Sequence, residues 1–80
     1  MNARVFVTLK NGVLDPQGKA VARSLAGLGY AEVAEVRIGK MMELTLDGTD
    51  AAAARARLEK MCEQLLANTV IEDYRIELLG

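Results

Sequence analysis

At 80 residues and 8.7 kDa, half apolar and a quarter charged, the chain has the composition of one small globular domain over residues 1–80. Folding a domain of this size hides only about 60% of the surface that the unfolded chain exposes, so a lone monomer is marginal and a second copy or a larger partner is expected. Ten Lys/Arg against eleven Asp/Glu leave a net charge of −1, which excludes an electrostatic footprint for nucleic acid or for an anionic membrane surface.

From Arg4 to Lys10 the apolar Val5, Val7 and Leu9 alternate with Arg4, Phe6, Thr8 and Lys10, which predicts a first strand. Asn11-Gly12 breaks it. Asp15-Pro16 then opens a helix, because aspartate caps free N–H groups and proline in the first turn has no N–H to lose. Val21, Leu25 and Leu28 recur at i, i+4 and i+7, so a helix is expected from Pro16 to Leu28 with this stripe on a core and Gly29 at the C′ position.

Between Val33 and Leu46, six apolar residues (Ala34, Val36, Ile38, Met42, Leu44 and Leu46) share one parity, interrupted only by Lys40. A two-residue hairpin at Gly39-Lys40 would pair Val36 with Glu43 and put polar groups on the buried face. One long strand bent at Gly39, or a three-residue turn over Gly39-Lys40-Met41, keeps the parity intact, and the long strand is preferred.

Asp47-Gly48-Thr49-Asp50 is turn chemistry, with Thr49 or Asp50 placed to cap a second helix. Ala51, Ala54, Leu58, Met61 or Cys62, and Leu65 form its apolar stripe, and Asn68 ends it. Val70, Tyr74, Ile76 and Leu78 alternate with Ile71, Asp73, Arg75 and Glu77 in a last strand, Glu72 being the one charge on the apolar parity. The order β-α-β-α-β predicts an α+β fold. Three strands under two helices leave sheet edges open, which invites pairing with another chain. If each long strand serves its own sheet and then a partner's, two chains complete two four-stranded, ferredoxin-like halves.

The chemistry is sparse. With no histidine there is no imidazole base or histidine-based triad, and the single thiol, Cys62, supports neither a zinc site nor an intrachain disulfide. Cys62 lies on or beside the apolar stripe of the second helix, where a thiol is expected to be inert packing. No apolar run reaches bilayer length, and Met1–Lys10 alternates instead of carrying a signal peptide's continuous core, so a soluble cytoplasmic protein is expected. Gly12 to Gly18 precedes a helix N-terminus but matches no phosphate-loop or dinucleotide fingerprint; it reads as a turn and cap, with Gly18 small because something packs closely on it. Arg37 and Lys40 flank Gly39 at the expected bend, which makes them better candidates for a partner or anion site than average surface cations. Phe6 alone does not make the paired aromatic platform of an RNA-binding sheet, and Tyr30 and Tyr74 read as core or interface aromatics.

The stretch Val5-Phe6-Val7-Thr8-Leu9-Lys10-Asn11-Gly12-Val13-Leu14-Asp15-Pro16-Gln17-Gly18-Lys19-Ala20-Val21 closely resembles the opening of PurS proteins. Leu28-Gly29-Tyr30, Val36-Arg37-Ile38-Gly39-Lys40 and Glu43-Leu44 fit that family's middle. Cys62-Glu63-Gln64-Leu65-Leu66-Ala67-Asn68 and Val70-Ile71-Glu72-Asp73-Tyr74 fit its end, with Thr69 departing where the family often has proline. The resemblance implies a non-catalytic subunit of phosphoribosylformylglycinamidine synthase, which turns formylglycinamide ribonucleotide into the amidine in purine biosynthesis. The complex uses ATP, Mg and glutamine, and no cofactor is assigned to this chain. Its implied partners are a second copy of itself, as a dimer or tetramer, the large ligase subunit (PurL) and the glutaminase (PurQ). By the same resemblance, partner contact is assigned to Lys10, Asp15, Gln17, Gly18, Arg37, Gly39 and Lys40. Two other classes compete: a free-standing dimeric ligand-sensing module of ferredoxin-like topology, and an acylphosphatase-type enzyme. The latter is disfavoured because Asn11 to Pro16 holds no arginine for a phosphate cradle.

Overall fold

Alternation along the first ten residues produces β1 (Asn2–Leu9), the middle strand of an antiparallel sheet ordered β2-β1-β3, where β2 is Lys40–Thr45 and β3 is Glu72–Leu78. The computed structural model describes residues 1–80. Val5 faces Met42 on one side and Ile76 on the other, so the three strands present one apolar face in register. That face is covered by α2 (Ala51–Met61) and the π-helical turn that continues it (Cys62–Leu66). Ala3, Val5, Val7, Leu58, Cys62 and Ala67 are the buried centre, flanked by half-buried Met42, Leu44, Leu46, Tyr74, Ile76 and Leu78. Burying Val5, Val7 and Leu58 contributes about 1.5–3 kcal/mol each.

Capping follows the sequence. Asp15 accepts from the Gly18 N–H ahead of α1 (Pro16–Gly27), and Asp50, rather than Thr49, accepts from the N–H groups of Ala52 and Ala53 ahead of α2. Gly29 follows α1 with φ +98°, the left-handed conformation expected at C′.

Three expectations are corrected. First, α1 packs extensively on no other element, so the Val21, Leu25 and Leu28 stripe meets no core within its own chain; Leu28 is 73% exposed. Second, of the segment from Val33 to Leu46 only Lys40–Thr45 is a strand. A strand needs a hydrogen-bonded neighbour, and residues 33–39 have none in the sheet. They do not fold back on β2 as a hairpin either. Third, Leu65 is 83% exposed rather than on the stripe. The Ala67 N–H reaches back five residues to the Cys62 carbonyl at 3.1 Å, and this wider turn carries Leu66 and Ala67 inward in Leu65's place.

The result is an extended molecule of 48 × 26 × 14 Å with a radius of gyration of 16.0 Å. A compact chain of this length has a radius of about 12 Å.

Candidate functional site

The residues singled out from the sequence come together at one joint, where β1 ends, α1 begins and residues 36–40 return to the sheet. Asp15 is its centre. Only 8% exposed, it accepts from the Gly18 N–H at 2.8 Å through one oxygen and from the Ile38 N–H at 2.7 Å through the other. One carboxylate therefore caps α1 and ties it to the returning segment. The Ile38 N–H, then the Gly18 N–H, hold the carboxyl below the usual aspartate range; burial opposes them in part, and the Arg37 guanidinium adds to them.

Two glycines permit this crossing. A Cβ on Gly18 would collide with the Val36 carbonyl oxygen, and one on Gly39 would collide with the Val7 carbonyl oxygen. Gly18 is thus small for the reason expected, a close neighbour. Gly39 has no positive φ; its need is the close approach of the chain to β1.

Arg37 folds over the end of β1, donating to the Leu9 carbonyl at 2.7 Å and the Lys10 carbonyl at 3.0 Å. Lys10 reaches the other way, to Asp73 of β3, at 2.8 Å. Asp15, Gly18, Arg37 and Gly39 therefore close the joint inside the chain, and Lys10 clamps it to β3. Gln17 and Lys40 differ: both are exposed and their side chains make no bond within the chain. Both line a cleft of about 390 Å³ with Leu9, Asp15, Ile38 and Gly39.

Other polar groups are structural. Arg4 in β1 lies 3.9 Å from Glu43 and 3.5 Å from Glu77, bridging all three strands on the sheet's outer face. On that face the Arg75 guanidinium sits 4.2 Å over the Phe6 ring and covers the surface on which a base would stack. Cys62 is fully buried; burial, then Glu63 and Glu59, push its thiol above the ordinary range, which leaves it a poor nucleophile.

Sequence reasoning missed the exposed apolar surface. Leu14 is 62% exposed and Tyr30 51%, and with Val21 and Leu28 they belong to α1 and its flanks. A groove of about 460 Å³ lies beside α2, lined by Leu46, Asp47, Ala53, Ala54, Arg57 and Met61. The apolar spacing of α1 was visible in the sequence, but its lack of an in-chain core was not.

The PurS family model, described as phosphoribosylformylglycinamidine (FGAM) synthase, matches residues 2–80. The FGAM synthase subunit PurS of Synechocystis sp. is 54% identical over 77 residues, which cover 96% of this chain and 77% of that one. A crystal structure of Bacillus subtilis PurS matches with a TM-score of 0.87 at 52% identity, over 99% of this chain and 98% of that one. A chain in the structure of PurLQS from Thermotoga maritima matches with a TM-score of 0.88 at 29% identity, over 98% and 95% of the two chains. Motif runs, fold and match along the chain agree: this chain belongs to the PurS family of FGAM synthase subunits.

Proposed function

We propose that this chain is the non-catalytic assembly subunit of a cytoplasmic FGAM synthase. It is one domain over 1–80 that acts as a homodimer and joins the ligase and glutaminase subunits. ATP and Mg serve the ligation step on the large subunit. The contribution of this chain is proximity: holding two active sites together raises the effective concentration of ammonia passing between them.

One observation carries the reading. α1 packs extensively on no other element of its chain and residues 33–39 pair with no strand of its sheet, while the outer edge of β2 and the groove beside α2 are open. The chain thus carries an open strand edge and groove together with an uncovered helix and extended segment, and two copies cover these reciprocally. Residues 33–39 of one add a fourth strand beside β2 of the other, and α1 lies in the groove with Leu65 one turn beyond Met61. Charge agrees, since α1 holds Lys19 and Arg23 with no acid, and Asp47 and Asp50 against the single Arg57 leave the groove net negative. The seven assigned residues act in this frame. Asp15, Gly18, Arg37 and Gly39 aim the exchanged segment, Lys10 clamps its base to β3, and Gln17 and Lys40 are the side chains offered to a partner.

Mixing the purified chain with ligase and glutaminase subunits should restore glutamine-dependent amidine formation. Turnover unchanged by its addition removes the assembly role.

A further inference from the structure

Closing the chain with a second copy covers the β2 edge and leaves the opposite edge, β3, open. The Lys10 N–H donates to the Ile71 carbonyl and the Leu79 N–H to the Asn2 carbonyl, both at 2.8 Å, so the odd-numbered residues of β3 turn their backbone toward β1. Alternation along an antiparallel ladder then points the N–H and C=O groups of Tyr74, Ile76 and Leu78 outward. This seven-residue edge has no proline, no lysine and no bulge; of the devices that keep such an edge from pairing it carries only charged side chains, Glu72, Asp73, Arg75 and Glu77. A cleft of about 460 Å³ runs beside it under α2, lined by Glu59, Lys60, Glu63, Gln64 and Tyr74. Glu72 and Asp73 continue it around Tyr74, and the Asp73 carboxylate is already paired with Lys10. The margin is therefore net acidic.

We infer that the β3 edge is a docking site for an extended, lysine- or arginine-bearing segment of a larger partner subunit, which adds as a strand and lays its cations against Glu59, Glu63 and Glu72. The inference rests on the assembly reading above and specifies which surface serves it. Main-chain bonds to Tyr74, Ile76 and Leu78 supply the pairing, and the carboxylates select the partner. A second copy fits less well, because it would bring the same carboxylates face to face. Tyr74 reports the field at this cleft: burial first, and then Glu63 and Glu59, raise its hydroxyl above the ordinary range.

The test uses the full chain with the ligase and glutaminase subunits. Hydrogen exchange at the Tyr74, Ile76 and Leu78 amides should slow at least tenfold in the complex. The double variant Glu59→Lys, Glu63→Lys should bind the partner subunits about tenfold more weakly, with homodimer mass and melting temperature unchanged. Leu78→Pro, which removes an outward N–H and no bond to β1, should weaken binding alike. Unslowed exchange at these amides in a formed complex overturns the proposal, as does wild-type affinity in the charge-reversed variant. Loss of the homodimer, or self-association through this edge, assigns the edge to a second copy and overturns it as well. A wild-type chain that binds neither subunit overturns the assembly reading itself, and the docking site with it.

Discussion

Asp15 joins two parts of the chain through one carboxylate, which makes acid a probe of the joint. Its pKa is lowered in the folded state, so the ionised form is the one the fold favours. The stabilisation is complete above the ordinary aspartate value of about 4 and is lost as pH falls below that value toward the lowered one. Asp15→Asn should therefore flatten the fall in stability between about pH 4 and lower pH, measured by urea unfolding of both proteins across that range. It should also lower stability at neutral pH, because the buried Gly18 N–H and the partly buried Ile38 N–H lose a charged acceptor. Gly39→Val tests the close approach directly: its side chain meets the Val7 carbonyl oxygen and Thr8, so the returning segment must lift off β1. Weakened self-association by sedimentation is the expected result, and an unaltered mass would detach residues 33–39 from any role in the dimer.

At the scale of elements, the second helix shows how one wide turn reassigns side chains. Leu58 and Cys62 lie four apart and both are fully buried, as a 3.6-residue period requires. Continuing that period would bury Leu65, whereas the π turn buries Ala67 and half-buries Leu66. Leu58→Ala should cost about 2–5 kcal/mol of unfolding free energy at fixed protein concentration. Leu65→Ser should leave the subunit's fold intact and act on self-association, so chemical denaturation and sedimentation separate the two positions. The parity of residues 33–46 held a related ambiguity. It located an apolar face without saying that only Lys40–Thr45 of it would pair in this chain's sheet.

For the whole molecule, shape is the informative quantity. A radius of gyration of 16.0 Å against about 12 Å for a compact chain means that part of the chain, α1 above all, extends beyond the one core. Val21→Lys with Leu28→Lys places charge on the exposed apolar face of α1, which in the proposed dimer a second copy covers. The double variant should sediment at half the mass of the wild type while keeping the sheet and α2 by circular dichroism. Retention of the dimeric mass would remove the second-copy reading.

Much was legible from residues alone. The alternation of β1 and β3, the two aspartate caps, the glycine after α1 and the buried thiol all follow from local chemistry, because each depends on neighbours within a few positions. Asp15 and Gly18 were marked for the same reason. What only the tertiary structure decided was where α1 and residues 33–39 go, that Ile38 and Arg37 close the joint from a distance, and that Leu65 faces out. Hydrophobic periodicity records that a face must be covered, yet burial is non-directional and does not record which chain covers it.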